Sequence, residues 1–284
     1  MDLSVIILTY NAKDLLRQCL QSVFASATGF EFEVLVPDNG STDGAIEMVK
    51  AEFPRAKLIE NGRNLGFAKG NNVAIKQAAG RYVLLLNPDT TVRLETLDLS
   101  IKYMDAHSDV GIMGGKVILP NGQLHEACRR RFPNPANAFL RLFGFRKFSN
   151  YNYRNVPVNQ EMEVDSVVGA YLLIRKSVID RIGLLDERFF MYGEDLDWCW
   201  RAKAAGFKVM YYPKAELTHY LYGSARFVKF RSVAWAHEAM KIFYRKHYAN
   251  QHNPLFNALV YLGIGIRMYL VLIINIFRHK KTVH

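Results

Sequence analysis

Only three cysteines, Cys19, Cys128 and Cys199, occur in the 284 residues. Their odd number and wide spacing argue against a disulfide framework and a zinc site, and fit a reducing cytosol. Also missing is an N-terminal basic region followed by an apolar core, so no secretion signal is expected. Acids are scarce beside bases, 26 against 37, and the formal charge is +11. That excess favours anionic partners such as phosphates, acidic lipid head groups or nucleic acid. No nucleic-acid motif accompanies it, so nucleic acid is not the expected partner. Half of the residues are hydrophobic, enough for a substantial core and against disorder as the main theme.

Three apolar runs end abruptly in small polar residues. Val5-Ile6-Ile7-Leu8 leads into Thr9-Tyr10-Asn11, Val34-Leu35-Val36 into Pro37-Asp38-Asn39-Gly40, and Val83-Leu84-Leu85-Leu86 into Asn87-Pro88-Asp89. Strands buried on both faces read as continuous apolar runs, and ligands of open α/β sheets sit beyond the strands' carboxyl ends. Thr9, Asp38 and Asp89 are therefore expected on one rim of a mostly parallel sheet. Helices fit between the strands. Leu15, Leu16, Cys19, Leu20, Val23 and Phe24 form one apolar face, Ala45 to Val49 follows the capping residues Ser41 to Asp43, and Ala68 to Ala79 stops at Gly80. A further helix is expected from Leu94 to His107. Val110 to Met113 and Val117 to Leu119 read as strands around Gly114-Gly115.

Asp89 follows Pro88, which has no amide for a sheet ladder, so the chain leaves the strand where this carboxylate appears. A hard oxygen ligand there suits Mg²⁺ or Mn²⁺ bridged to a diphosphate, although Asn, Pro and Asp also make ordinary turns. Asp38 occupies the equivalent place on its strand. Its carboxylate can accept the imide N–H of uracil or thymine, with Thr9 and the backbone after it meeting the same base or the ribose. In Asn64 to Asn72, Gly66 and Gly70 permit close backbone approach, Lys69 offers a cation and a helix start offers free amides. Such a loop can hold part of a nucleotide, or be simple loop-to-helix punctuation.

Together these stretches resemble the family 2 glycosyltransferases, which have the nucleotide-sugar-binding GT-A fold, over most of residues 3 to 225. The resemblance implies donor contacts from Thr9, Tyr10, Asn11, Asp38, Asn64, Gly66, Phe67, Lys69, Asn87 and Asp89. Asn87-Pro88-Asp89 stands where the family usually has Asp-x-Asp, so Asn87 is a departure. The Asn-Pro-Asp form and the Asn64 to Asn72 loop are most similar to rhamnosyltransferase-like members, which leans the donor toward dTDP-rhamnose over a UDP-sugar.

The acceptor half resembles the family too. Val168 to Arg175 looks like the strand lining the sugar site, placing Gly169 and Ala170 against the acceptor, and Phe189 to Trp198 looks like the family's Glu-Asp motif. By resemblance Asp195 is the general base of an inverting transfer, with Glu194 as the fallback base and with Glu194 and Trp198 near the acceptor. Glu194 to Ala205 also has helical composition, and acids commonly stabilise a first turn. Trp198 and Trp200 can equally be core residues. His219, with Gly223-Ser224 after it, is similar to the family's late histidine and joins Asp89 as an implied ligand of Mn²⁺ or Mg²⁺. A glycoside hydrolase using paired carboxylates and a noncatalytic nucleotide-sugar binder are the rival classes.

Two segments stand apart. From Ala127 to Gln160 there are seven Arg or Lys residues and no acid, interleaved with Phe132, Phe139, Phe143, Phe145 and Phe148. Pro133 and Pro135 suggest a loop entering a short amphipathic helix, either a solvated insertion or a surface for anionic lipid or a lipid-linked substrate. Leu255 to Phe277 is a 23-residue run broken by Asn257, Arg267 and Asn275 and flanked by basic residues. It is long enough to span a bilayer, but Arg267 near its middle favours an interfacial or dipping helix. The expected organisation is a catalytic domain over 1–225, with a donor half to about 115 and an acceptor half from 116, and a helical membrane-associated extension over 226–284. A lipid-linked or growing surface glycan is the expected acceptor, at the cytoplasmic face of a bacterial inner membrane.

Overall fold

The structure, a computed structural model, describes residues 1–134, 151–221 and 229–280. Phe139, Phe143, Phe145 and Phe148 of the basic-aromatic segment lie outside the described residues, as do Pro135, Gly223 and Ser224. The first half alternates as the apolar runs imply. It runs β1 (Leu3–Ile6), α1 (Lys13–Phe24), β2 (Phe32–Asp38), α2 (Ala45–Glu52), β3 (Lys57–Glu60), α3 (Phe67–Ile75), β4 (Tyr82–Leu86), β5 (Thr90–Val92), α4 (Thr96–Ala106) and β6 (Val110–Ile118). The second half adds β7 (Met162–Glu163), β8 (Tyr171–Arg175), α5 (Lys176–Ile182), α6 (Glu194–Ala204), β9 (Lys208–His219), α7 (Lys229–His247) and α8 (Pro254–Lys280).

The strands form one nine-stranded sheet in the order β3-β2-β1-β4-β8-β6-β9-β5, with β7 on β9. β1 and β4 are buried along their whole length, which is why each reads as an unbroken apolar run. Helix α1 covers the sheet with Leu16, Cys19, Leu20 and Val23, one apolar stripe at helical spacing. Each such leucine or valine contributes about 1.5–3 kcal/mol by leaving water. Parallel pairing of β1 with β2 and β4 puts Thr9, Asp38 and Asp89 at the same edge.

Beyond β4 the sheet is mixed. β8 runs antiparallel to β4 with Leu86 opposite Tyr171, so the start of β8 lies beside the end of β4. An apolar run carries no direction, and this reversal is invisible in the sequence. The two strands expected around Gly114-Gly115 are one strand, β6, with a register shift between Gly115 and Lys116. Its glycines serve close packing instead of a turn. A Cβ on Gly114 would stand 2.5 Å from the Val167 side chain, and one on Gly115 would stand 2.5 Å from the Ala215 carbonyl oxygen. The helices expected to 79 and from 94 are shorter at Ile75 and Thr96. Gly80 packs against the start of β1, where a Cβ would be 2.5 Å from the Ser4 nitrogen.

Helix α7 seats Ala239, Ile242 and Phe243 on Phe189, with Trp200 and Phe132 alongside. Its polar end grips α6. Asp197 is fully buried and accepts from Arg201 at 2.8 Å, Lys246 at 2.7 Å and His247 at 2.9 Å. Helix α8 folds back antiparallel on α7. Tyr244 donates to Asn257 at 2.6 Å near the turn, and Arg267 meets His237 at 2.9 Å ten residues further along α8. Among the described residues α8 is the one helix long and apolar enough to cross a membrane, and Leu255, Leu259, Leu262 and Tyr269 are all exposed.

Candidate active site

The donor side begins where β1 and β2 end. Thr9 bridges Asp38, its N–H donating to the Pro37 carbonyl and its carbonyl accepting from Asn39 N–H, both at 2.9 Å. Asp38 Oδ1 accepts from the amides of Gly40 and Ser41 at 2.8 and 2.9 Å. Its Oδ2 and the Thr9 hydroxyl are buried and find no partner among the described residues. A buried acceptor without a donor is costly, and a ligand N–H would remove the cost. Asn11, at a φ of +50°, is held by Ser41, whose hydroxyl accepts its N–H at 2.9 Å, and its own Oδ1 accepts from Thr42 N–H at 2.8 Å. Asp43 accepts from the amides of Lys13 and Ala45, so the capping role expected of Ser41 to Asp43 serves two helix starts.

An asparagine network joins this rim to the next loop. Asn39 donates to Asn64 Oδ1 at 3.3 Å and to the Gly66 carbonyl at 3.1 Å, while Asn64 Oδ1 also accepts from Gly66 N–H. Gly66 has a φ of +81°, and a Cβ there would stand 2.5 Å from the Phe190 carbonyl oxygen, so only glycine fits. Phe67 N–H donates to that same oxygen at 2.6 Å. Lys69 turns outward to a half-exposed pairing with Glu187 at 3.9 Å, and Asn71 and Asn72 are spent on structural bonds.

Asp89 and His219 meet at the end of β4. Both are buried, and His219 Nε2 lies 3.0 Å from Asp89 Oδ1. The ring Nδ1 of His219 has no partner among the described residues. No third His, Cys, Asp or Glu joins them as a ligand group among the described residues. One carboxylate and one imidazole would fit Mn²⁺ or Mg²⁺, since these ions commonly take substrate phosphate oxygens to complete their shell. Asn87 N–H donates to the Ala170 carbonyl at 3.2 Å, tying this turn to the acceptor strand.

Asp195 lies at the start of α6 after two left-handed residues, Tyr192 at φ +71° and Gly193 at φ +86°. Its Oδ2 accepts from Arg130 at 2.8 Å and from Gly169 N–H at 3.0 Å, and its Oδ1 accepts from Leu196 N–H at 2.7 Å. A Cβ on Gly169 would stand 3.4 Å from the Phe67 ring and 3.8 Å from the Asp195 Cβ. The donor loop and the Glu-Asp pair thus meet at Gly169, just before β8. Glu194 is buried beside Asp195 with Oε2 unpartnered among the described residues. Burial, then the Asp195 charge, push its carboxyl well above the usual range toward the neutral form.

The amino-acid pattern of glycosyl transferase family 2 matches residues 4–183. The chain is a family 2 glycosyltransferase. It is similar to the N-acetylglucosaminyl-diphospho-decaprenol L-rhamnosyltransferase of Mycobacterium tuberculosis, 30% identical over 233 residues that cover 77% of this chain and 76% of that one. Rhamnosyltransferase WbbL of Escherichia coli is 25% identical, covering 81% of this chain and 88% of its own. Among solved structures, the mannosyltransferase of Pyrobaculum calidifontis in complex with GDP-Man and Mn²⁺ superposes with a TM-score of 0.58 at 17% identity, covering 93% of this chain and 73% of that one. The transferase has the GT-A fold.

One acceptor residue expected of this transferase is displaced by its burial. Trp198 is fully enclosed, its indole N–H donating to the Gly183 carbonyl at 2.9 Å, so it packs the core instead of meeting a sugar. Two residues of the pocket carried no local signal. Arg130 sits in a run of three arginines that reads as solvated, and nothing in the run marks the distant Asp195 as its partner. His125 lies edge-on to His219 with ring centroids 5.3 Å apart. Burial, assisted by His219 and Arg130, holds its imidazole down to about 4.

Proposed function

We propose that this transferase moves rhamnose from dTDP-rhamnose, with inversion, to a hydroxyl of a lipid-linked or growing surface glycan. The approach of both Phe67 and Asp195 to Gly169 supports this reading, because it brings the donor loop near the proposed base. Asp38 Oδ2 would accept the thymine imide N–H, and Thr9, Tyr10 and Asn11 would flank the base and ribose. Asn64, Gly66 and Asn87 would line the sugar and diphosphate, whereas Lys69 contributes only long-range charge. Asp89 and His219 would hold Mn²⁺ or Mg²⁺, which when bound neutralises charge gathering on the departing diphosphate. The acceptor hydroxyl would lie between Gly169, Ala170 and Asp195. Asp195 takes its proton as the oxygen attacks the sugar from the face opposite the diphosphate. Glu194, kept neutral, is an acceptor-side donor and not the base.

Residues 1–225 carry this chemistry and residues 226–284 anchor it at the cytoplasmic face of a bacterial inner membrane. The exposed apolar length of α8, the positive charge of the chain and the lipid-diphosphate substrate in the mycobacterial relative's name support the location. Helix α7 carries Lys241, Arg245 and Lys246 and lies along α8 from Asn257 to Arg267. A perpendicular crossing would take those charges and Arg267 into hydrocarbon at about 2.5–3.5 kcal/mol each. A monotopic hairpin avoids that cost. The test is a panel of nucleotide sugars with Mn²⁺ and a lipid-diphosphate acceptor, scored by nucleoside diphosphate release. Release from dTDP-rhamnose alone is expected. Sugar release from a simple glycoside without nucleotide would favour a hydrolase, and no diphosphate from any donor would favour a binder.

A further inference from the structure

Arg130 is bound to the acceptor strand's approach twice over. Its main chain pairs with Ser166 in both directions at 2.9 Å, and its Nη2 donates to the Val167 carbonyl at 2.7 Å and to Asp195 Oδ2 at 2.8 Å. Both side chains of the ion pair are nearly sealed, 12% and 9% exposed. A buried pair of this kind seldom adds stability over an apolar pair of the same size, so its placement on the proposed base points to function. The lone pairs of Asp195 can be counted. Arg130 and Gly169 fill Oδ2, while among the described residues Oδ1 accepts from the Leu196 amide alone, leaving one lone pair.

We propose that Arg130 is a positioning residue that holds the Asp195 carboxylate by Oδ2 and leaves Oδ1 as the oxygen that receives the acceptor's proton. The inference rests on the assignment of Asp195 as base. Two adjacent buried acids cannot both carry charge beside one cation, and the cation touches only one of them. Glu194, pushed neutral, is the complement of that choice. The other titratable groups that face the pair or its neighbours are Asp197, Cys199 and Lys203 on α6, Tyr192 just before it and Tyr151 beyond Arg130. Lys203 pairs with Glu163, and among the described residues Arg130 is the cation hydrogen-bonded to Asp195.

The experiment compares wild type, Arg130→Gln, Arg130→Lys and Asp195→Asn in the full chain, measuring kcat against pH and dTDP affinity. Arg130→Gln is expected to lower kcat on the order of tenfold, less than the roughly 10²–10⁴-fold of a general base, to move the acid limb of the profile to higher pH, and to leave dTDP affinity unchanged. Arg130→Lys restores the acid limb and part of kcat. A folded Arg130→Gln enzyme with the wild-type acid limb, beside an inactive Asp195→Asn, overturns the role of Arg130 alone. Full turnover by Asp195→Asn overturns the base assignment and this inference with it. Should Arg130→Gln not fold, Arg130→Lys decides: an acid limb at the wild-type position with reduced kcat supports the proposal, and wild-type kcat with weakened dTDP affinity overturns it.

Discussion

His219 Nε2 lies 3.0 Å from Asp89 Oδ1 across 130 residues of chain, where β9 meets the turn after β4. A cation held by both would replace the hydrogen they share. Asp89→Ala and His219→Ala are each expected to lower turnover by at least about 10²-fold, and to weaken Mn²⁺ binding measured calorimetrically in the presence of dTDP. His219→Ala with wild-type Mn²⁺ affinity would remove the imidazole from the ligand set.

Asp38 Oδ2, without a partner among the described residues, gives a second prediction. Asp38→Asn exchanges a charged acceptor for a neutral amide, and dTDP affinity is expected to fall by about 10- to 100-fold, the worth of a hydrogen bond to a charged group. Competition titration of dTDP checks this. Equal affinity would place the base elsewhere.

Asp197 couples α6 to α7 through buried charge, and its carboxyl lies below the usual value of 3.8 because His247, Arg201 and Lys246 outweigh its burial. A depressed folded value contributes stability above the unfolded value and loses it as pH falls through the folded one. Asp197→Asn is therefore expected to cost about 3–5 kcal/mol near neutral pH, with the gap from wild type closing as pH is taken below 3.8. Urea unfolding at a series of pH values measures it. A gap independent of pH would mean that packing, not charge, holds the two helices.

Membrane attachment has its own test. The full chain is expected to sediment with vesicles containing anionic lipid, and Leu259→Asp with Leu262→Asp, both on the exposed apolar side of α8, should release it. Residues at either end of α8 should be labelled from one side of a sealed vesicle only. Labelling from opposite sides would establish a crossing helix.

Much of the donor half was legible because the rule is local: a strand buried on both faces is one apolar run, and a parallel sheet gathers the ends of such runs. Thr9, Asp38 and Asp89 follow from it. The first-turn acids Glu194 and Asp195 were legible as a helix start, and their chemistry only through resemblance. Arg130 was not, since a triple arginine looks alike whether it faces water or a distant carboxylate. His125 had no spacing partner, and Trp198 carried equal signals for core and surface. The reversal of β8 escaped for the same reason: its hydrophobic residues fit either strand direction, and only the register with β4 fixes Ala170 beside Asn87.

The grip of Lys246 and His247 on Asp197 has a consequence for acceptor choice. Asp197 is two residues past Asp195, so the hairpin grips the same helix that carries the proposed base. Were that hairpin to lie in a lipid surface as proposed, the reacting oxygen would be held at a set height above the head groups. Lipid-borne glycans would then be sorted by how far their hydroxyl stands from the bilayer, before any sugar ring is recognised.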